Sequence, residues 1–396
     1  MKPRVQTGLD RLLDAPKRLE ALRGARVGLL ANPTSVTYEL DHAIDALAAR
    51  GVKLERLFGP EHGVRAEAQD MESVHESVDP ISGIPTVSLY GSTYDSLRPK
   101  AEHLDGLDIV LADIQDIGAR YYTYAYTVGL MMKACGEAGV EVWVLDRPNP
   151  INGNAVEGNV VRDELRSFVG MQPLANRHGM TLGELAHFFN DFGGWACEFD
   201  VVEMRGWQRE MWYDETGLPW VMPSPNMPTL DTATVYPGQC LLEGTNASEA
   251  RGTTRPFELF GAPWVDAPEL ADALDDFDLP GVRFRLASFR PMFQKHAHTT
   301  CAGLQIHVTN REVFESVTTS YAIVGAMCEL FDEFAWRTET YEFVDDELAI
   351  DLLIGDRSLR EALEAGDDPV EIARTRFADS ALAEFNERRR KCLIYE

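Results

Sequence analysis

A glutamate and a histidine lie together in a constrained turn near residue 60. The segment FGPEHG, residues 58–63, follows a short apolar stretch and holds Glu61 and His62 after a proline and between two glycines. Proline fixes φ and glycine opens backbone conformations that other residues avoid, so such a turn can aim its side chains in a defined direction. Glutamate and histidine transfer protons in general acid–base catalysis. The segment is therefore a candidate acid–base site, although a hydrogen-bonded surface turn remains an alternative.

The first 150 residues alternate between strand and helix patterns. Continuous apolar runs that are typical of buried strands occupy residues 25–32, 53–59, 85–91, 107–116 and 140–150. Helical patterns between them cover residues 38–50, 93–104 and 119–138. Such runs separated by helices favour a parallel sheet that is covered on both faces. The sequence therefore predicts an α/β fold with a Rossmann-like doubly wound parallel sheet.

Polar residues follow each of these predicted strands, where a doubly wound sheet has its ligand crevice. The residues at these strand ends are Asn32, Glu61, His62, Tyr90, Asp113, Gln115, Asp116, Arg120, Tyr121, Tyr122, Tyr124, Asp146, Arg147 and Asn149. Together they predict one polar pocket. Structural roles remain open for some of them, since Asp113 and Asp116 could cap the following helix and Asp146–Arg147 could be an ion pair.

The regular alternation ends after residue 150. Thr181 and Glu184 have the spacing of a capping box at the start of a helix, and the basic segment ERRRK near the C-terminus suits the solvated end of a helix. The proline-crowded stretch 219–238 predicts irregular structure, and we place a domain boundary there. The predicted domains are residues 1–225, which carry the sheet, and residues 226–396, a smaller C-terminal α+β domain that closes the cleft. Polar loop residues of this second domain could close the crevice from the far side. They are Asn226, Glu243, Asn246, Glu249, Arg251, Arg255, Lys295 and His296, and Asn226, Glu243 and Arg251 are the predicted substrate-binding residues among them.

Composition excludes several classes of partner. The formal net charge of −27 would repel nucleic acid and anionic membranes. The N-terminal residues lack the apolar core of a signal peptide, and no apolar run of about 18 residues is present, so we expect a cytoplasmic protein without a membrane span. The six cysteines have no metal-binding spacing and are expected to be reduced thiols.

The motifs of common cofactor sites are missing from the sequence. The first strand is followed by ANPTSVT rather than GxGxxG, and no GxxxxGK[ST], GxSxG or HExxH occurs. We therefore expect no cofactor. Carboxylates, tyrosines and arginines remain, a combination typical of a sugar site, and Glu61 is a candidate proton donor for glycosidic bond hydrolysis.

Two other kinds of protein stay open on the residues alone. A metal ion held by His62, Asp113 and Asp146 would make the chain a metal-dependent hydrolase or esterase. A protein that binds or senses amino sugars without turnover would use the same crevice.

Six segments resemble the signature blocks of the NamZ-type exo-β-N-acetylmuramidases. In chain order they are FGPEHG, DIQDIGARYYTYAYT, LDRPNPI, PSPNMPT, YPGQCLLEGTNASEARGTTRPFELFGAPW and KHAHTTCAGLQIHVT. They span nearly the whole chain, and six long segments in order are more specific than any short motif. The block at Lys295 departs from the pattern, because a glycine is expected soon after the histidine.

The resemblance implies a Rossmann-like domain, a smaller α+β domain and an active site between them. It implies hydrolysis that releases N-acetylmuramic acid from the non-reducing end of peptidoglycan-derived glycans, without a nucleotide cofactor. Glu61 is the implied catalytic acid. Positions in the blocks add His62 and Tyr121 to the catalytic set, and Asp116 and Arg147 to the substrate-binding set.

The implied substrate carries a lactyl carboxylate, which a strongly acidic protein would repel without local compensation. An arginine in the crevice could bind this group through two hydrogen bonds. The candidates, in order of preference, are Arg147, Arg120 and Arg251. The remaining predicted substrate-binding residues are Asn32, Asp116, Asp146, Asn226 and Glu243.

Overall fold

The computed structural model describes residues 4–65 and 77–396. The strands are β1 (Val27–Ala31), β2 (Leu54–Gly59), β3 (Ser77–Val78), β4 (Pro85–Ser88), β5 (Ile109–Asp113), β6 (Glu141–Leu145), β7 (Glu157–Val160), β8 (Ala175–Arg177), β9 (Phe199–Val202), β10 (Leu259–Ala262), β11 (Val282–Phe289) and β12 (Cys301–Val308). The α-helices are α1 (Gly8–Leu13), α2 (Pro16–Arg23), α3 (Ala43–Ala49), α4 (Ala101–Leu104), α5 (Tyr124–Ala138), α6 (Leu182–Asp191), α7 (Leu230–Gln239), α8 (Ala267–Asp275), α9 (Ser316–Leu330), α10 (Ala349–Ile354), α11 (Arg357–Glu364), α12 (Pro369–Arg376) and α13 (Ser380–Cys392). Short 3₁₀ segments are Tyr94–Leu97, Asp163–Leu165, Tyr213–Glu215 and Cys240–Gly244.

The main sheet has the order β3-β4-β2-β1-β5-β6-β9. Its pairs are parallel except for the edge pair β3–β4. From β1 the chain first builds outward to β2 and β4, and then reverses to add β5, β6 and β9 on the other side. This is the doubly wound Rossmann-like topology, as the sequence predicts. The reversal lies between β1 and β5, and such a switch point opens a crevice at the carboxyl ends of the strands.

The central strands are buried because helices cover both faces of the sheet. All residues of β1 (VGLLA) and β5 (IVLAD) are buried, and Leu29 pairs with Leu57 on one side and Leu111 on the other. Continuous apolar sequences mark these strands for that reason. The edge strand β9 was not predicted, since its four residues include Asp200, which pairs with Arg18 at the surface.

Two predicted helices begin later than expected. Helix α3 begins at Ala43, where the side chain of His42 accepts a hydrogen bond as the N-cap. Helix α5 begins at Tyr124 rather than near residue 119. Gly118, just before the predicted helix, has φ +85°, a conformation that glycine adopts readily and that a helix does not contain. Residues 114–123 therefore form a loop beyond the end of β5 and supply side chains to the crevice.

The prediction of irregular structure across 219–238 was wrong for its second half. Helix α7 includes Pro237 in its interior, although proline lacks the N–H that an inner turn needs. Tight packing on α9 accounts for this helix, because a Cβ at Gly238 would lie 1.9 Å from the carbonyl oxygen of Ser316. Burial of this face against α9 thus overrides the local preference of the sequence.

The C-terminal part has a second, smaller sheet. It is antiparallel, with the order β10-β12-β11; α8 packs against β11 and β12, and α9 packs against α8. An α+β part joined to a parallel α/β part is what the sequence predicts. The two parts share one large apolar core, which contains Leu30 of β1 as well as Leu353 of α10.

Residues at the end of the chain return to the first part. The hydroxyl of Tyr395 donates to Oδ2 of Asp146 at 2.6 Å, and the carbonyl oxygen of Glu396 accepts from the N–H of Arg209. The basic end of α13 is not wholly solvated as predicted, since Arg389 is buried and donates to the carbonyl oxygens of His178 and Gly179. The C-terminus therefore ties the two parts together.

Three other expectations can be compared with the structure. The capping box at α6 is present, with Thr181 Oγ1 accepting from the N–H of Glu184 and the Glu184 carboxylate accepting from the N–H of Thr181. The six cysteines are free thiols. Within 4–65 and 77–396, every helix is too short or too polar to cross a bilayer.

Candidate active site

A narrow pocket lies where the two parts of the chain meet. Its lining residues in the described part are Glu61, His62, Tyr121, Tyr122, Thr123, Tyr124, Val169, Ser224, Asn226, Met227, Tyr236, Glu243, Arg251, Phe257, Tyr341 and Glu342. The open space between them measures about 40 Å³, which holds a few water molecules. A sugar can therefore enter only if side chains on the two walls move apart.

The turn that carries Glu61 and His62 is tight and conformationally unusual. The N–H of Gly63 donates to the carbonyl oxygen of Pro60 at 2.9 Å. His62 and Gly63 both have positive φ, +70° and +83°. A non-glycine residue in this region costs on the order of 1–3 kcal/mol, and such strain concentrates at functional sites. Glu342, across the pocket, also has a positive φ, of +45°.

The carboxylate of Glu61 is held inside the pocket. Glu61 is only 6% exposed, and its Oε2 accepts a 2.8 Å hydrogen bond from the hydroxyl of Thr123. The Tyr124 hydroxyl lies 3.4 Å from the carbonyl oxygen of Glu61 and donates to that of Pro223 at 2.7 Å. The loop after β5 and the segment near residue 223 thus hold the turn in place.

Tyrosine rings form a continuous aromatic wall beside Glu61. The rings of Tyr122 and Tyr124 are 4.9 Å apart at 69°, and those of Tyr122 and Tyr236 are 5.8 Å apart at 89°. Burial raises the pKa of these three hydroxyls, so they are neutral donors at physiological pH. Aromatic faces beside hydroxyls suit a ligand with both apolar and polar surfaces.

Tyr121 and Tyr122 differ in how their hydroxyls are used. Tyr121, predicted as catalytic, lines the pocket, but its hydroxyl donates to the carbonyl oxygen of Pro237 inside α7. The hydroxyl of Tyr122 lies near Ser224 and makes no hydrogen bond of ordinary geometry in the described part of the chain. Tyr122 is therefore better placed than Tyr121 to offer a hydroxyl to a ligand.

The far wall contains the residues predicted from the second domain. Asn226, Glu243 and Arg251 all line the pocket. Arg251 Nη2 donates to Glu243 Oε1 at 2.6 Å, and the hydroxyl of Tyr341 donates to the other oxygen at 2.7 Å. Both members of this ion pair are 6% exposed, and a buried pair with additional hydrogen bonds has a well-defined geometry.

Arg147, our first candidate for binding the lactyl carboxylate, does not line the pocket. Its guanidinium binds both oxygens of Asp113, with Nε–Oδ1 at 2.6 Å and Nη2–Oδ2 at 3.0 Å, and also donates to the carbonyl oxygen of Val36. The pair is almost fully buried. Its Nε and Nη2 are occupied by these partners, so Arg147 holds Asp113 and the Val36 segment together, and its contact with the lactyl carboxylate stays a prediction.

Arg120 is also absent from the pocket lining. Arg120 is fully buried. Its two terminal nitrogens donate to the carbonyl oxygens of Asn159, Leu174, Leu353 and Ile354. These contacts join the loop after β5 to helix α10. Arg120 therefore connects the two parts of the chain, and its substrate contact stays a prediction.

The other strand-end residues outside the lining make internal hydrogen bonds. Asn32 accepts from the N–H and hydroxyl of Thr34, and Asp116 accepts from the N–H of Gly118 at 2.6 Å. Asp146 accepts from the hydroxyl of Thr181 and the N–H of Gly183 at the start of α6, and burial raises its pKa to about 6. These three were predicted to bind substrate; their side chains hold loop conformations outside the pocket lining, and the substrate contacts stay predictions.

The metal-binding alternative has no geometric support in the described residues. No group of three or more histidine, cysteine, aspartate or glutamate side chains is arranged to hold a metal ion within 4–65 and 77–396. In the set His62, Asp113 and Asp146, the second residue pairs with Arg147 and the third with the Thr181 hydroxyl. The three do not form one site.

Several lining residues were not predicted from the sequence. Thr123 lies inside one of the six NamZ-like segments, but a threonine by itself does not indicate an active site. Tyr341 and Glu342 are far along the chain from the other lining residues and belong to no motif. The hydroxyl of Tyr90 donates to Glu342 Oε2 at 3.1 Å, a contact between the two parts that only the tertiary structure reveals.

Comparison with known proteins agrees with this architecture over the full chain. Residues 27–231 match the family described as exo-beta-N-acetylmuramidase NamZ, N-terminal, and residues 234–395 match its C-terminal counterpart. The peptidoglycan beta-N-acetylmuramidase NamZ of Bacillus subtilis (strain 168) is 44% identical over 395 residues, which cover 100% of this chain and 92% of that protein.

Two solved structures share the fold. Both are DUF1343 family proteins of Bacteroides fragilis NCTC 9343. The first has a TM-score of 0.85 and 34% identity, with 99% of each chain covered. The second has a TM-score of 0.76 and 25% identity, with 100% of this chain and 99% of the other covered. From the two domain matches and the full-length relative, we conclude that this chain belongs to the NamZ exo-β-N-acetylmuramidase family.

Proposed function

We propose that this protein is an exo-β-N-acetylmuramidase that removes terminal N-acetylmuramic acid from the non-reducing end of peptidoglycan-derived glycans, with Glu61 as the general acid. The observation that carries the proposal is the position of Glu61, whose buried carboxylate lines the pocket between the two parts and accepts a hydrogen bond from Thr123. The name of the Bacillus subtilis relative supplies the reaction and the substrate class.

In this mechanism Glu61 protonates the glycosidic oxygen as the bond to the terminal sugar breaks. Hydrolysis by paired carboxyl groups also needs a second group on the opposite face of the sugar. Glu243 and Glu342 line the same pocket and are the candidates for it. His62 lies beside Glu61 in the turn, where its imidazole contacts the same ligand.

Arg251 is our candidate for the lactyl carboxylate. Of the three arginines considered from the sequence, it is the one that lines the pocket, 5.0 Å from the ring centroid of Phe257. Its guanidinium binds Glu243 through one terminal nitrogen. Glu249 Oε1 lies 3.5 Å from its Nε, so a carboxylate ligand would be the third anion around this planar guanidinium, which offers five N–H donors.

The test is hydrolysis of a disaccharide with N-acetylmuramic acid at its non-reducing end, with analysis of the released sugar. Glu61→Gln keeps the shape of the side chain and removes the transferable proton, so we expect hydrolysis to fall roughly 10²- to 10⁴-fold with little change in Tm. The matched control is Glu258→Gln, because Glu258 is also buried and accepts a hydrogen bond from a threonine hydroxyl, that of Thr232, yet lies outside the pocket lining.

Each alternative gives a different result. A folded Glu61→Gln variant with wild-type activity would contradict the acid assignment. Binding of the disaccharide without release of any sugar by the wild-type protein would favour a binding or sensing protein. Loss of activity in a chelator, restored by added metal, would favour a metal-dependent hydrolase.

A further inference from the structure

A second, larger cavity lies next to the narrow pocket. Its volume is about 630 Å³, within the range of about 300–1,000 Å³ that is typical of small-molecule sites. Glu243 and Arg251 line both cavities. Their ion pair is therefore the boundary between the space beside Glu61 and this larger space, and a ligand that extends beyond the pocket on that side enters the second cavity.

The charges around the second cavity are balanced. Its carboxylates are Glu243, Glu249 and Glu339, and its cationic side chains are Arg251, Lys295 and Arg337. Each carboxylate has a nearby cation, at 2.6 Å for Glu243–Arg251, 2.9 Å for Glu249–Lys295 and 3.8 Å for Glu339–Arg337. Beyond the boundary pair Glu243–Arg251, Lys295 and Arg337 are each matched by a carboxylate, so this part of the lining offers little net attraction to an anion. It suits an uncharged polar ligand, for which hydrogen bonds and ring contacts supply the affinity.

Trp336 provides the aromatic surface of this cavity. Its indole N–H donates to Glu364 Oε1 at 2.8 Å, and its ring packs edge-on against Phe334 at 5.0 Å. Both contacts fix the orientation of the indole, which leaves part of the ring in the cavity lining. A fixed aromatic face costs little conformational entropy when it binds the apolar face of a sugar ring.

The walls of the cavity are braced by hydrogen bonds. Asn246 accepts from the N–H of Ala335 at 3.0 Å and donates to the carbonyl oxygen of Glu333 at 2.7 Å, so it joins the loop after Gly244 to the Trp336 segment. Lys295 donates to the carbonyl oxygens of Leu242 and Ala247. The cavity is thus a preformed space with fixed walls.

The backbone around it is also unusual. Ala250, Gln294 and His296 have φ of +61°, +61° and +55°, a region that non-glycine residues rarely adopt. His296 is held there by a 2.8 Å hydrogen bond between its Nε2 and the carbonyl oxygen of Asn246. Such strain persists where the surrounding contacts over-determine the conformation, and it concentrates at ligand sites.

From these observations we infer that the second cavity is the subsite for the leaving group, and that it binds the uncharged N-acetylated sugar that follows the terminal residue. The inference rests on the proposed function. The Glu61 pocket holds the terminal acidic sugar, and the glycosidic bond crosses the boundary formed by Glu243 and Arg251. When the bond breaks, the released sugar or glycan leaves from the larger cavity.

The experiment compares two substrates that share the terminal N-acetylmuramic acid. One carries N-acetylglucosamine as its leaving group, and the other, a methyl glycoside, carries a methoxy group too small to occupy the second cavity. For Trp336→Ala we expect the ratio of kcat/KM for the disaccharide to kcat/KM for the methyl glycoside to fall roughly tenfold. Trp336→Phe, which keeps a ring, should retain most of the wild-type ratio.

A second variant covers the case in which Trp336→Ala fails to fold. Thr338→Trp places a bulky side chain at an exposed position of the lining and should lower the same ratio by obstruction. An unchanged ratio in folded variants, or equal losses on both substrates, would overturn the leaving-group subsite. If the wild-type protein hydrolyses neither substrate, the proposed function itself is wrong.

Discussion

The hydroxyl of Thr123 donates a 2.8 Å hydrogen bond to Oε2 of Glu61. This contact connects the loop after β5 to the turn after β2, two strands that flank β1 in the sheet. Both residues are 6% exposed, so water competes little for the bond. The pairing gives the proposed acid a fixed orientation that the turn alone would not provide.

We expect Thr123→Val to lower kcat by roughly tenfold while KM changes less, because a hydrogen bond contributes about 0.5–1.5 kcal/mol and the valine keeps the shape of the side chain. The measurement is steady-state kinetics on the muramyl disaccharide together with Tm. Thr123→Ser should restore most of the activity, since it returns the hydroxyl. A fully active valine variant, or a serine variant as impaired as valine, would show that this contact does not position Glu61.

The neighbouring tyrosines Tyr121 and Tyr122 should respond differently to the loss of a hydroxyl. Tyr121→Phe leaves the carbonyl oxygen of Pro237 without its hydroxyl donor, and we expect the free energy of unfolding to fall by about 1 kcal/mol. Tyr122→Phe removes a hydroxyl that has no hydrogen bond to lose in the described part of the chain, so stability should be unchanged while kcat/KM falls.

Urea unfolding and kinetics on the same two proteins provide the measurement, and each variant is the matched control for the other. Full activity in Tyr122→Phe together with an inactive but stable Tyr121→Phe would return the functional role to Tyr121, as the sequence predicted.

The sequence predicts the sheet well because β1 and β5 are buried on both faces and leave an unmistakable apolar pattern. Parallel topology then places their carboxyl ends at one edge, which is why Glu61 and His62 could be assigned to a crevice. The start of α5 was harder to predict from the sequence. The residues YYTYAY read as helix throughout, but the regular helix begins in their middle, at Tyr124, and no glycine or proline marks that point in the sequence.

The roles of the arginines could not be predicted from the sequence. Arg147 and Arg251 have the same chemistry and both are near predicted crevice residues. Which of them faces a ligand depends on partners distant in sequence, since Arg147 binds Asp113 on β5 while Arg251 binds Glu243 beside the pocket. Tyr341 and Glu342 could not be predicted for a related reason, because they reach the pocket only through the tertiary fold.

Substrate selectivity should depend on Arg251. We expect Arg251→Ala to weaken binding of a glycan that ends in N-acetylmuramic acid more than binding of its N-acetylglucosaminyl analogue, because only the former has a carboxylate for the guanidinium. The measurement is the dissociation constant of each ligand for the folded Glu61→Gln protein with and without the arginine substitution. Equal losses for the two ligands would contradict carboxylate recognition by Arg251.

Arg147→Ala is the comparison for that experiment. It leaves Asp113 buried without its partner, so we expect a loss of about 3–5 kcal/mol in the free energy of unfolding. Selectivity between the two ligands should not change in the fraction that stays folded. A selective loss of the muramyl ligand would instead restore Arg147 as the residue that reads the carboxylate.

The stability of the protein should depend on the ionisation of Asp146. Burial raises the pKa of this aspartate from its ordinary value of 3.8 to about 6, so the folded state binds the proton more tightly than the unfolded state. The associated stability is fully present below about pH 4 and is lost as pH rises through 6. The shift corresponds to about 3 kcal/mol at most.

Asp146→Asn tests this dependence because asparagine cannot ionise. The side-chain oxygen of the asparagine can accept from the N–H groups of Arg147 and Gly183, as the aspartate does. The hydroxyls of Thr181 and Tyr395 donate to the carboxylate in the wild type. In the variant they can accept from the asparagine NH₂ group instead. We expect the variant to gain stability relative to the wild type as pH rises from 4 to 7, as measured by urea unfolding at each pH.

The difference between variant and wild type isolates this group, because the other carboxylates titrate in both proteins. Asp163→Asn, at a largely exposed position, is the control and should show no comparable trend. If the difference for Asp146→Asn were constant across the range, the aspartate would be ionised in both the folded and the unfolded protein throughout it, and burial would not favour the protonated form. The Tyr395 hydroxyl would then anchor the C-terminus by donating to an anion at every pH in that range.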